Sequence, residues 1–494
     1  MVVKSFPATG EPLLEGGTLL TLPCPRQAGV DHKAAHGTRS IIMKGVKLSA
    51  LLVSALALGG LTAPQGAAEE ITYTLWSRQD PSGPLRSGNV EKAAERLNAA
   101  LEAEGSDKRV KVEVTQSPAP GFDEDALQLL RVYGVGEGPD MFVQAHEWIC
   151  AFAQDGFVLD LGQYIDAHPE LFEGIFPSLW EATKCKGERY AIPQDAEARM
   201  FFYNKDLLRK AGYDDAFIES LPDKVLAGEV TMDDISDIAK NVVDKTDAEY
   251  GILHRPSIGP DYIMVFQSYG NSFIDEDSGN LLLEPDKLAA AYGWFERNVQ
   301  NGVTPANNTS MEWDTIRAEF YANNNAAFWM YGIWDLGSRA FPTYGLPQDE
   351  KEFNKGWGWT AAPAVEKGGK PGSLTHPVVY AVSADVEDPD LAVRLLGFAS
   401  DADLNTDHAV TTTHIGIKEE QLNDPRYQEA WPLARATELL EYTKFLPNNP
   451  GFGDLNRIIY QGLQGVESGR LTAEEAAQFV VDEAEAQLDD VIVK

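Results

Sequence analysis

The chain has 494 residues, 44% hydrophobic and 24% charged, which is long and apolar enough for two or more lobes with substantial cores and excludes a disordered polymer. With 41 Lys and Arg against 76 Asp and Glu, the formal charge of -35 opposes phosphate backbones and anionic lipid surfaces, so no nucleic-acid partner is expected. Three Cys exclude disulfide-framework scaffolds and multi-cysteine zinc modules.

Residues 48–61, LSALLVSALALGGL, form an apolar run preceded by Met43, Lys44 and Lys47 and followed by small residues ending at Gly66-Ala67-Ala68. The run is short for a membrane span of roughly 20 residues and matches a signal-peptide core. Cleavage is expected near Ala68, with 43–68 the signal peptide and 1–42 an upstream extension. Cys24 precedes the run and no Cys closely follows it, so a lipid anchor is not expected. The product is expected to be exported and without a membrane anchor. In an oxidising compartment Cys150 and Cys185 are expected to form one disulfide.

Residues 71–76, ITYTLW, alternate and predict a strand that ends at Ser77-Arg78-Gln79-Asp80. Val90, Ala93, Ala94, Leu97 and Leu101 have helical spacing, VKVEV at 110–114 predicts a second strand, 125–133 a helix and 141–143 a third strand. This order predicts a mainly parallel sheet covered by helices. Ligands of such sheets sit beyond the carboxyl ends of strands, which marks 76–80 and 144–148 as candidate site loops. Further on, the pattern predicts a strand at 200–203 and helices at 205–211, 231–243, 288–300, 314–321, 392–398 and 473–488. Residues 356–377, with Gly368-Gly369 and Pro371-Gly372, read as the most loop-like stretch. Asp275, Asp277 and Asn280 lack calcium-loop spacing, because Gly279 stands at the fifth position, and read as a hairpin turn. No metal-ligand set and no cofactor are expected.

Five segments, in order, resemble the family 1 extracellular solute-binding proteins of bacterial sugar ABC importers, the group that includes maltose-binding protein. They are the strand ending in Trp76-Ser77; Gly138-Pro139-Asp140-Met141-Phe142-Val143; Gly187-Glu188-Arg189-Tyr190-Ala191-Ile192-Pro193 with Tyr203-Asn204-Lys205-Asp206-Leu207; the run from Ala326 through Gly332 to Trp334; and GVESGRLTAEEA at 465–476. The resemblance implies an α/β two-lobed periplasmic binding protein fold of type II, with discontinuous lobes joined by crossing strands. The expected lobes are 69–195 with 378–412, and 196–377 with 413–494. It also implies a monomeric periplasmic substrate-binding component that captures a carbohydrate between the lobes, passes it to permease subunits served by a separate ATPase, and catalyses nothing.

Sugars present hydroxyls that need paired donors and acceptors and apolar faces that stack on rings. Candidate ligand-binding residues near the predicted loops are Trp76, Arg78, Gln79, Glu147 and Trp148, since a guanidinium and a carboxylate can each engage two hydroxyls. Gln194, Asp195, Glu197 and Arg199 lie at the expected first crossing, with Asp195 the expected hydroxyl acceptor. Trp329, Tyr331 and Trp334 cluster in the second lobe, and the resemblance makes Trp334 a stacking platform. Trp357 and Trp359 would point to opposite sides of a strand, so at most one should face the cleft; His376 and His414 lie near later crossings. Two rivals are a polyamine-binding protein of the same fold and a secreted glycoside hydrolase. The chain has no Gly-x-Ser-x-Gly and no His-Glu-x-x-His motif, and its acids are spread along the sequence, unlike a focused cation site.

Overall fold

The computed structural model describes residues 69–79, 85–337 and 340–494. The signal segment, its boundary at Ala68, and Asp80 lie outside them. The two larger sheets use β1 (Glu69–Arg78), β2 (Lys108–Ser117), β3 (Met141–Ala145), β4 (Ile192–Pro193), β5 (Arg199–Asn204), β6 (Tyr250–His254), β7 (Ala326–Gly332), β8 (Trp357–Thr360) and β9 (Val378–Val382). The first sheet runs β2-β1-β3-β9-β4 and the second β8-β5-β7-β6.

In the first sheet β1 lies parallel to both β2 and β3, while β9 is antiparallel to β3 and to β4. Strand β1 buries Ile71, Tyr73, Leu75 and Ser77 on alternate positions, so a period of two sets which face meets the core. Helix Leu85–Ala103 covers it through Val90, Ala93, Ala94, Leu97 and Leu101. In the second sheet β7 is parallel to β6 and antiparallel to β5, and β8 pairs antiparallel with β5.

The recurring motifs have local physical roles. Asp140 Oδ2 accepts from the backbone N and the hydroxyl of Thr74, both at 2.7 Å, and thereby clamps the start of β3 to β1. Asn204, the last residue of β5, caps helix Lys205–Lys210 by accepting from Leu207 N at 3.1 Å. Thr472 and Glu475 form a reciprocal capping box at the start of helix Ala473–Gln487. The loop-like reading of 356–377 is corrected at its start: 357–360 is strand, because the large rings of Trp357 and Trp359 bury against aromatic neighbours. The turn at 275–280 is present, with Asp275 N donating to Asn280 O and Gly279 N to Asp275 O.

Between β4 and β5 the chain passes from the first sheet to the second through 194–198. Ala196 and Ile415 exchange backbone hydrogen bonds there, at 2.9 and 2.7 Å, so a returning segment runs beside the first crossing. Asp195 fixes this junction. One of its oxygens accepts from Val378 N at 3.1 Å, and the other from Arg86 Nη2 at 2.7 Å and His408 Nε2 at 3.0 Å. Burial alone would raise this carboxyl, but Arg86, with His414 and His408, holds it well below the usual carboxylate range. Cys150 and Cys185 are bonded, with Cα atoms 5.3 Å apart, and tie helix Ile149–Gln154 to the two-residue strand Lys184–Cys185. Among the described residues no helix is long and apolar enough to cross a membrane.

Two outcomes follow. Burial pushes the His408 imidazole down from 6.5 to about 4, so as pH falls through 6.5 the unfolded chain takes a proton that the folded chain refuses until about 4. Stability present above pH 6.5 is therefore lost between 6.5 and 4, and melting curves of His408→Gln should show a shallower decline across that window than wild type. The disulfide closes a loop with a sequence separation of 35. Its reduction should lower the unfolding free energy by about 3–4 kcal/mol, read from urea midpoints with and without reductant.

Candidate functional site

The carboxyl ends of β1 and β3 lie beside the start of β9, and three segments meet there. Pairing of Ala145 with Val378 carries His376 onto the turn His146–Trp148, where His376 Nε2 stands 2.7 Å from Glu147 Oε1. His146 N donates to Pro377 O at 3.1 Å and fixes the turn against β9. Phe122, opening helix Phe122–Gly134 after β2, lies under the guanidinium of Arg78 at 4.6 Å and beside that of Arg86 at 5.8 Å, with the His376 ring 6.1 Å away. Burial, with Glu147 close by, raises the Asp123 carboxyl on the same turn. Burial would also raise Glu147, but His376 overrides it and lowers it; reciprocally, Glu147 and Glu197 raise His376 against its burial. Burial pushes His146 down to about 4.

The second sheet presents its own strand ends to this set. Arg199 opens β5 opposite Gly332 at the end of β7, and Trp334 lies two residues beyond. A Cβ on Gly332 would overlap the six-membered ring of Trp334, so glycine is what lets the indole fold back over the strand end. The Arg199 guanidinium lies 4.7 Å from the Trp334 ring, and His414 stacks on it at 6.1 Å and 15°. Tyr331 meets Trp334 at 5.0 Å and Trp313 at 5.3 Å. Arg255 follows β6 and binds Asp261 Oδ2 at 2.7 Å, while Arg199 Nε lies 3.2 Å from Asp261 Oδ1. Arg199 Nη1 also pairs with Glu197 Oε2 at 2.9 Å, and Glu197 faces His414 at 3.5 Å and His376 at 3.9 Å. The two sheets are thus joined by one run of opposite charges, and Glu147, Glu197, Arg199 and His376 are all buried in it.

The residues expected from sequence divide into three groups. Glu147, His376, Arg78, Tyr331 and Trp334 lie in or beside this run. Trp148 donates its N–H to Asp123 Oδ1 at 3.0 Å and packs over Gly453 of helix Phe452–Glu467, and Trp76 donates to Asp125 Oδ1 at 3.0 Å from a half-buried position. Gln79 is exposed, with its backbone N bound to Ser117 O. Three expectations are corrected. Asp195 has both oxygens engaged by protein donors and ties the crossing segments together instead of facing a ligand. Trp329 is 0% exposed, stacked on Tyr331 at 4.9 Å with its N–H directed to Asp335 Oδ2, and is a core side chain. Trp357 packs on Phe320 and Tyr321, and Trp359 on Trp431, so neither is brought into the run. Arg86, Phe122, Asp123, Arg255, Asp261, Trp313 and His408 were missed. Phe122 and Asp123 follow β2 and Arg255 follows β6, so applying the strand-end rule beyond β1 and β3 would have drawn them in, whereas Arg86 stands on the helix after β1, beyond the loop that the rule marked.

Comparison with known proteins places this geometry. Residues 87–405 match the sequence model of the bacterial extracellular solute-binding proteins. The maltotriose-binding protein of Pyrococcus abyssi is 23% identical over 359 residues, covering 72% of this chain and 70% of its own. The galactooligosaccharide-binding protein of Bacillus subtilis is 21% identical over 402 residues, covering 79% and 86%. The structure of the sugar-binding protein MalE from Xanthomonas citri superposes with a TM-score of 0.66 at 16% identity, covering 84% of this chain and 97% of that one, a likeness of fold. With two α/β sheets, crossing segments between them and facing strand ends, the chain has the type II periplasmic binding protein fold and belongs to the bacterial extracellular solute-binding protein family.

Proposed function

We propose that the exported chain captures a carbohydrate between two lobes, 69–195 with 378–412 and 196–377 with 413–494, and delivers it to permease subunits driven by a separate ATPase. The observation that carries this reading is the position of Trp334. Its ring lies at the end of β7, flanked by Tyr331 and the Arg199 guanidinium, opposite Glu147 and His376 of the first sheet. An indole face beside charged donors and acceptors suits a pyranose, whose apolar face and hydroxyl rim need both kinds of partner. The names of the maltotriose-binding and galactooligosaccharide-binding relatives support the ligand class. Transport requires that ligand bind the closed arrangement better than the open one, so Trp334 and Tyr331 from one side and Arg78, Glu147 and His376 from the other are assigned to the same sugar. Trp76, Trp148 and Gln79 support or rim the first side.

Titration of the chain with a panel of linear α- and β-linked oligosaccharides, read by tryptophan fluorescence, tests the reading. Trp334→Ala and Glu147→Ala should each weaken binding of the recognised sugar at least tenfold, about 1.4 kcal/mol, while both variants remain folded by circular dichroism. Gly332→Ala should weaken it similarly, because it displaces the indole without removing it. Wild-type affinity in all three variants would overturn the site, and cleavage of the sugar during titration would overturn the binding-protein reading.

A further inference from the structure

The turn His146–Trp148 holds two polar atoms that no protein group satisfies. His146 is wholly buried, and its Nε2 lies 3.2 Å from Leu446 O. A carbonyl only accepts, so Nε2 carries the hydrogen and Nδ1 is left as a lone pair. That lone pair faces Glu147 Oε2 at 3.4 Å, and neither atom has a hydrogen-bond partner. Two buried acceptors directed at each other are costly unless a cation stands between them. His376 completes the group: one ligand atom from each of His146, Glu147 and His376 falls within 4.8 Å of the others.

We propose that His146 Nδ1, the Glu147 carboxylate and His376 Nε2 hold a divalent transition metal of the Zn²⁺ class, with a fourth position left for water or a ligand oxygen. Two imidazoles and one carboxylate are a donor set for such ions, whereas Ca²⁺ and Mg²⁺ favour oxygen alone. Ligand atoms about 2.0–2.2 Å from the ion require a small swing of Glu147. On metal binding His376 releases its Nε2 proton to solvent and keeps the one on Nδ1, which faces Glu197 Oε2 at 3.9 Å. The Leu446 carbonyl already fixes the His146 ring, as outer partners of metal-bound histidines do. The neighbouring group of Asp195, His408 and His414 is of similar size but does not qualify. The Arg86 guanidinium stands within it, with Nη2 2.7 Å from Asp195 and 3.4 Å from His414.

The site shares Glu147 and His376 with the carbohydrate reading but does not require it, and it is tested without sugar. The full chain, stripped with chelator, is titrated with Zn²⁺ by calorimetry and with Co²⁺ by visible absorption. One high-affinity equivalent with the intense spectrum of a tetrahedral or five-coordinate Co²⁺ site is expected. His146→Gln should weaken that equivalent at least a hundredfold while the metal-free variant keeps its circular dichroism, and His408→Gln should retain it. Absence of a stoichiometric site in wild type, undiminished binding in His146→Gln, or loss in His408→Gln would each overturn the proposal.

Discussion

The ion pair between Arg86 and Asp195, sealed at 2.7 Å with both partners buried, is the constraint on which the rest of the molecule depends. It joins the start of a helix in the first third of the chain to the first crossing between the sheets. His408, from much later in the sequence, closes on the same carboxylate oxygen. Taking such charges out of water costs several kcal/mol per ion, so the arrangement persists only because the Asp195 oxygens and the guanidinium find partners. Removing one member would strand the others in a dry junction.

From this tie the charges continue in sequence through Glu197 and Arg199 to Asp261 and Arg255. Five residues of chain, 194–198, therefore carry the link between the sheets together with two carboxylates of the charged network, Asp195 and Glu197. That economy follows from topology: β4 ends and β5 begins at the point where the two sets of strand ends face each other. A ligand that separates and then re-engages these side chains must replace their contacts with equally good ones, which favours a polar, hydroxyl-rich molecule over an apolar one. The overall acidity of the chain is dispersed, whereas the site balances four carboxylates against guanidinium and imidazole groups.

Much of the frame was legible because it rests on local rules. Alternation at 71–76, the Asp140 clamp on Thr74, the Asn204 cap and the Thr472 capping box are each decided within a few residues or one strand pair. Of the candidate site, Arg78 and Glu147 were legible as residues beyond strand ends, His376 as a residue near a later crossing, and Tyr331 and Trp334 through the aromatic cluster and the resemblance at Gly332-x-Trp334. Trp329 and Trp357 misled because a tryptophan in a strand has the same sequence signature whether its face meets a ligand or another ring. Asp195 was placed at the crossing, but its partners come from 86, 378 and 408, and no local pattern shows that its oxygens are already taken. Phe122 and Asp123 were missed because the helix start that holds them is unremarkable until β1 is placed between β2 and β3, which brings the end of β2 to the same edge of the sheet.

The central claim is that one ligand touches both lobes at the charged junction, with Trp334 beneath it. A crystal structure of the chain with the oligosaccharide it recognises tests this most directly. The account predicts a pyranose face on Trp334, hydroxyls on Glu147 or Arg199, and the Arg86 and Asp195 pair intact behind them. A sugar held by one lobe alone, or seated away from Trp334, would contradict it.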